Sequence, residues 1–360
     1  MEIQEQVALG PLTTLGVGGP ARYFAAARTE SDIHSALEFA REEGPPLFVL
    51  GGGSNLVVGD EGWPGLVLKI EIAGINVRTE DGRTLFEAGA GEDWDTLVAL
   101  AVAENCAGIE CLSGIPGTVG GTPVQNVGAY GQDVSETIIR VRAIEARDGS
   151  VHEFTNSECG FAYRTSRFNT VDRGRFIITR VTFSLAENGR PKVEYADLKK
   201  HFAGQERPTL AETREAVRAI RYQKAMLVVE GDDDARSAGS FFKNPVIDVS
   251  HYERIAAEAK RRGLTVPKYS AGDMHVKVPA AWLVEQSGIQ KGFTLGRVGI
   301  SRRHTLAIVN RGGANAADVL ALKELVQQRV REKFGIELQP EPVFVGVQPE
   351  RQPLTLATSD

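Results

Sequence analysis

Gly114-Ile-Pro-Gly-Thr-Val-Gly-Gly-Thr-Pro-Val-Gln-Asn-Val-Gly-Ala-Tyr-Gly131 holds six glycines in 18 positions and no charged side chain. Glycine has no Cβ, so such a run lets main-chain N–H groups approach a ligand and line up as an anion-binding concavity. A phosphate-bearing cofactor is the guest this chemistry suits. A plain surface turn would account for the glycines, but it has little need of Gln125, Asn126 and Tyr130, whose side chains hydrogen-bond to or stack on a flat heterocycle.

Upstream, 21–27 reads as a strand and 29–43 as an amphipathic helix. Thr29 and Asp32 form a capping-box pattern there, and Ile33, Ala36, Leu37 and Ala40 recur at helical spacing. The apolar run 46–50 then enters Gly51-Gly-Gly-Ser-Asn55. A strand followed by a glycine turn puts the turn at the carboxyl edge of a sheet, where α/β proteins bind ligands. Two separated glycine turns can therefore grip the two ends of one dinucleotide. Neither they nor the pairs at Gly16/Gly18 and Gly89/Gly91 open a helix directly after a core strand with an acidic residue at the right remove, so the Rossmann fingerprint is not met.

The pattern predicts further strands at 66–70 and 85–90, a helix at 93–104, extended stretches at 138–146 and 176–185, and a helix at 211–224. A polar, acidic linker at 230–236 marks a domain boundary. Helices follow at 252–262, 280–286 and 316–334, with strands at 306–310 and 341–345 and a frayed tail at 348–360.

The chain of 360 residues is 42% hydrophobic and carries 41 basic and 47 acidic side chains, a net charge of −6. Nothing in that balance suggests nucleic acid or an anionic membrane as a partner. Cys106, Cys111 and Cys159 are odd in number and lack zinc spacing, so they read as reduced thiols. The first ten residues lack a basic stretch followed by an apolar one, so no signal peptide is expected, and no apolar run reaches the ~20 residues of a membrane span. A cytoplasmic protein is expected. The six histidines show no metal-ligand spacing, and Asp232-Asp-Asp234 lacks the alternation of a calcium loop and reads as a solvated turn.

Several residues stand out for chemistry. Ser237-Ala-Gly-Ser-Phe-Phe-Lys-Asn-Pro245 is not a nucleophile elbow; Ser240 either donates a proton there or caps a turn between core aromatics. Arg164 beside Tyr163 offers a planar fork suited to a carboxylate or enolate, or else an ordinary surface ion pair. Arg221, Lys224, Lys277 and Lys291 either meet a pyrophosphate or are solvated. Glu341, between two prolines at the start of an apolar strand, either has a raised pKa through burial or simply ends the strand.

Together, Thr14–Arg22, Gly51–Asn55, Ile115–Gly121, Gln125–Gly131, Tyr163-Arg164, Gly239–Pro245 and Pro340-Glu341 resemble, in order, the UDP-N-acetylenolpyruvoylglucosamine reductase (UDP-N-acetylmuramate dehydrogenase) family. The resemblance covers the chain to about residue 346 and points to the longer type. It implies an α+β fold: a two-subdomain FAD-binding module of the vanillyl-alcohol-oxidase/PCMH type plus a separate α/β substrate-binding domain. The parts implied are 1–70 with a returning strand at 340–347, then 71–228, then 229–339. The resemblance implies non-covalent FAD, NADPH as co-substrate, no metal and a monomer.

By position, Arg164, Ser240 and Glu341 match the family's catalytic trio. Gly51, Gly52, Gly53, Ser54 and Asn55 match its first FAD-contacting turn. Ile115, Pro116, Gly117, Gly120, Gly121 and Thr122 match the second, continued by Gln125, Asn126, Gly128, Ala129 and Tyr130. Substrate contacts are implied at Tyr163, Arg221, Lys224, Asn244 and Tyr269, and at Lys277, Lys291 and His304. Tyr195 matches the substrate-closing tyrosine. The implied reaction is reduction of UDP-N-acetylglucosamine enolpyruvate to UDP-N-acetylmuramate for peptidoglycan. Two rivals are an oxygen-using oxidase of the same fold and a redox-inert sugar-nucleotide binding module. The glycine turns carry no His or Cys for the covalent FAD expected of that oxidase.

Overall fold

A computed structural model describes residues 1–80, 82–205 and 207–347; the expected frayed tail, 348–360, lies outside the described residues. The capping box at Thr29 and Asp32 starts the helix Glu30–Glu43, and Gly44, at φ +72°, ends it. That helix is the crossover of a four-stranded sheet ordered Gln4–Ala8, Pro20–Ala27, Trp63–Ile70, Leu47–Leu50, antiparallel in its first pair and parallel in the other two. Ile33, Ala36 and Leu37 bury one face of the helix, as their spacing predicts.

A second, antiparallel sheet runs Val151–Thr155, Ile138–Glu145, Phe176–Glu187, Arg83–Gly89, Ile75–Glu80, with Cys106–Ala107 paired to the end of its longest strand. Helix Trp94–Ala103 is capped by Asp93 and buries Trp94, whose ring lies 5.6 Å from that of Phe183. One core joins this sheet to the first, from Ile33 and Leu66 to Phe86, Trp94 and Phe183. The edge strand Ile75–Glu80 escapes sequence reading because its side chains are mostly exposed and polar.

A second core packs Phe241 and Phe242 with Leu283, Ile308, Val319 and Val326 and takes in Leu15, Val17 and Val57 from the first sheet's region. Helix Ala316–Phe334 matches its expected bounds, with a capping box at Asn315 and Asp318 and Gly335 at φ +67°. The strand expected from 341 begins instead at Val343, parallel to Leu56–Val58. Pro342 has no N–H, and the Glu341 N–H is taken by Phe241 O at 2.9 Å. The acidic run also departs from expectation: Asp234 is buried, because Ser301 Oγ and the Arg302 N–H donate to it.

All three cysteines are free and buried. Among the described residues no group of His, Cys, Asp and Glu could hold a metal, and no helix is long and apolar enough to cross a membrane.

Candidate active site

The turn Gly51–Asn55 leaves the carboxyl end of the strand Leu47–Leu50, where parallel pairing ends. It touches the second glycine segment directly: a Cβ on Gly52 would stand 2.6 Å from Gly117 Cα. Only glycine permits that approach of two main chains. Thr14 binds the first turn to the Ser240 segment, its N–H donating to Gly53 O (3.1 Å) and its hydroxyl to Ser237 O (2.7 Å).

Among the described residues the buried Thr118 hydroxyl has no hydrogen-bond partner; it lies 3.1 Å from where a Gly51 Cβ would stand. A buried hydroxyl left unpaired is costly, and one that waits for a phosphate oxygen explains it. A Cβ on Gly121 would meet nothing. Both features fit a phosphate-bearing group laid along the two turns.

Asn126, at φ +45°, carries the second segment to the Arg164 loop; its amide donates to Ala162 O (3.1 Å) and accepts from the Ser135 N–H (3.1 Å). Its side chain therefore holds the main chain. Thr122 likewise turns inward, donating to Val119 O. Arg164 itself sits at φ +55°, a left-handed conformation costly for a side chain this large, and its carbonyl accepts from Asn169 Nδ2 (3.1 Å).

These pieces enclose one cavity of about 300 Å³. Ser54 and Asn55 border it from the first turn, and Ile115, Pro116, Gln125 and Gly128 to Tyr130 from the second. Arg164, Ser240 and Glu341 reach it from three other segments. Gly51 to Gly53, Gly117, Gly120, Gly121 and Thr122 do not line this cavity: Gly52 packs on Gly117, Gly53 on Leu12 and Gly120 on Ala90, while a Cβ on Gly121 would stand in open space.

Glu341 is pinned between the two halves: Phe241 O takes its N–H, and Asn55 Nδ2 donates to its carbonyl (3.3 Å). Burial raises the pKa of its carboxyl, against the opposing charges of Arg164 and Lys243. Arg164 Nε stands 3.0 Å from Glu341 Oε1 but off the hydrogen-bonding direction, so this buried N–H has no hydrogen-bonded acceptor among the described residues. Ser240 is held by its neighbours: the Phe241 N–H donates to Leu306 O (2.7 Å), and both phenylalanines are core residues. Among the described residues its hydroxyl has no partner, leaving the proton available to a ligand.

The far wall is cationic. His304 Nδ1 accepts from the Leu306 N–H (3.0 Å), which places the proton of the neutral ring on Nε2. Burial, then the charges of Lys224, Lys291 and Arg221, push its pKa down to about 4. Lys224 Nζ lies 2.5 Å from Asp197, and Arg221 is buried with its guanidinium on Gly114 O and Met226 O. Arg221 is thus a strut of the glycine segment as well as a source of charge. The ring of Tyr195 meets that of Tyr130 edge-on at 5.4 Å.

Five expected substrate contacts do not line the 300 Å³ cavity. Lys277 Nζ lies 4.4 Å over the Tyr163 ring, Tyr269 pairs with Lys277 across two strands, and Asn244 Oδ1 accepts from the Ala280 N–H. Lys291 is exposed. Sequence reading missed Thr118, although a hydroxyl inside a charge-free glycine run was a usable signal.

Residues 232–345 match the model of the UDP-N-acetylenolpyruvoylglucosamine reductase C-terminal domain, and residues 21–155 match that of an FAD-binding domain. The UDP-N-acetylenolpyruvoylglucosamine reductase of Thermobifida fusca is 43% identical over 350 residues, covering 95% of this chain and 97% of that protein. That of Nocardia farcinica is 44% identical over 355 residues, 96% of this chain and 90% of its own. The crystal structure of the enzyme from Thermus caldophilus superposes with a TM-score of 0.64 at 28% identity, covering 96% of this chain and 99% of that one. The α+β class with an FAD-binding module, expected from sequence, therefore holds. With identities of this size over almost its whole length, the chain belongs to the UDP-N-acetylenolpyruvoylglucosamine reductase family.

Proposed function

We propose that the chain reduces UDP-N-acetylglucosamine enolpyruvate to UDP-N-acetylmuramate with NADPH, as an FAD-dependent enzyme of peptidoglycan precursor synthesis. The observation that carries this reading is the single cavity where both glycine segments meet Ser240, Arg164 and Glu341. FAD would be held without a covalent bond by the main chain of 51–55 and 115–130 and by the Thr118 hydroxyl, on the subdomains 1–70 and 71–228, with 340–347 returning to them. When bound, it supplies the hydride that NADPH delivers and the vinyl group receives.

The residues of the chain handle the charge and the proton. Hydride arriving at the terminal vinyl carbon leaves the adjacent carbon carbanionic and delocalised into its carboxylate. Arg164 supplies a fixed positive charge at that carboxylate, from a mostly buried side chain. Glu341, whose carboxyl pKa burial raises against the charges of Arg164 and Lys243, would in its protonated form donate a hydrogen bond to the same oxygens. The Ser240 hydroxyl then gives its proton to the carbon. A serine is a poor acid in water, so this step works only against a base as strong as an enolate. The wall of Lys224 and the neutral His304, with Tyr195 closing over it, and Tyr163, Arg221, Asn244, Tyr269, Lys277 and Lys291, would receive the sugar nucleotide between the part 71–228 and the domain 229–339. We place this chemistry in a cytoplasmic monomer.

Anaerobic titration tests the reading. The purified protein is expected to be yellow, to bleach with NADPH, and to recover its colour on addition of the enolpyruvyl sugar. Recovery with oxygen alone would favour an oxidase, and colourless protein that FAD cannot reconstitute would favour a binding module.

A further inference from the structure

Asp234, one turn ahead of the Ser240 segment, is 7% exposed and touches no part of the catalytic trio. Its Oδ2 accepts from Ser301 Oγ (3.0 Å) and from the Arg302 N–H (2.8 Å). Ser301 is fully buried, and its Oγ accepts in turn from the N–H groups of Arg303 (3.0 Å) and His304 (3.2 Å). Arg303 Nε and Arg311 Nη1 each stand 3.7 Å from the carboxylate, while Oδ1 accepts no hydrogen bond from the described residues. A buried carboxylate is tolerable only when paired, and here what pairs it is the loop that carries His304 to the cavity.

The ends of that loop are also held by main-chain bonds: the Ser301 N–H donates to Ala307 O (2.9 Å), the Ala307 N–H to His304 O (3.2 Å) and the Gly292 N–H to Ser301 O (3.1 Å), and Arg303 Nη1 donates to Tyr222 O (3.0 Å). Residues 236–241 run against 306–310, with the Asn310 N–H on Arg236 O (3.0 Å), a bridge between Ser237 and Val309, and the Phe241 N–H on Leu306 O. Those contacts fix the strand after His304 and the segment bearing Ser240. The N–H groups of Arg303 and His304 are gathered by the Ser301 hydroxyl, and the Ser301 hydroxyl is oriented by Asp234.

We propose that Asp234 is a positioning residue which, through the Ser301 hydroxyl, sets His304 Nε2–H on the wall that receives the sugar nucleotide. The proposal rests on the functional reading above, since it needs that cavity to take the substrate. It assigns to Asp234 an effect on substrate affinity and none on the chemistry at Ser240.

The test uses FAD-loaded enzyme reduced with dithionite and mixed anaerobically with increasing enolpyruvyl sugar, the return of flavin absorbance giving a half-saturating concentration and a limiting rate. Asp234→Ala and Ser301→Ala are each expected to raise the half-saturating concentration about tenfold, as loss of a charge-assisted hydrogen bond would. The limiting rate and FAD content should stay within about threefold and at wild-type level respectively. Asp234→Asn, which keeps an acceptor oxygen, should recover part of the loss. In a His304→Ala background the Asp234→Ala substitution should add nothing, because both act along one path.

An equal shift in the His304→Ala background, an unchanged half-saturating concentration, or a loss that tracks FAD content would overturn the proposal. If Asp234→Ala does not fold, Ser301→Ala gives the same reading. Reduced wild-type enzyme that the sugar does not reoxidise would overturn the functional reading itself, and with it this one.

Discussion

Ser240→Ala enzyme is expected to bleach with NADPH at the wild-type rate and then to form product about 10²- to 10⁴-fold more slowly, the range typical of losing a positioned general acid. The substitution removes one hydroxyl whose proton has no partner among the described residues, and it leaves the main-chain bond from Phe241 to Leu306 in place. The wall of the cavity should survive. Rapid-mixing measurements of the two half-reactions separate the steps, because only the second needs a proton at carbon. Undiminished turnover would remove Ser240 from its role, and an equal loss in both halves would mean that it shapes the site instead of supplying a proton.

The second large effect concerns the seam between the glycine turns. Gly52→Ala puts a methyl 2.6 Å from Gly117 Cα and 2.9 Å from its carbonyl carbon, both main-chain atoms that cannot swing aside. The two turns must part, at a cost of about 1–3 kcal/mol for overpacking. Purified Gly52→Ala protein should therefore melt several degrees lower and retain little FAD. Gly121→Ala is the control: its methyl meets no protein atom, so the fold should keep its melting temperature. FAD affinity should fall there only if the cofactor itself lies against residue 121. Gly52→Ala protein with full FAD occupancy would show that contact between the turns is unimportant for the cofactor.

Much of this was legible in the sequence where a local pattern decides the outcome. Helix Ala316–Phe334 and the capping box at Thr29 were readable because apolar spacing and caps lie within a few residues of one another. The ordered glycine and aromatic motifs pointed to the family because their order is itself the signal. What stayed hidden depends on distant partners. Three successive aspartates look solvated, yet Asp234 is buried because Ser301, Arg303 and Arg311 arrive some 70 residues downstream. Arg221 looks like one more helix cation until Gly114 O and Met226 O accept its protons. Asn126 looked suited to a heterocycle, but its amide bonds to the main chain at Ala162 and Ser135. Glycine content marked both turns as special and could not say that they touch.

A crystal structure of the FAD-loaded protein is the most direct measurement. The pyrophosphate should lie along the seam of Gly52 and Gly117 within hydrogen-bonding reach of the Thr118 hydroxyl, with the reactive edge of the ring facing Ser240. FAD bound elsewhere, or a ring whose reactive edge is closed off from Ser240, would contradict the account.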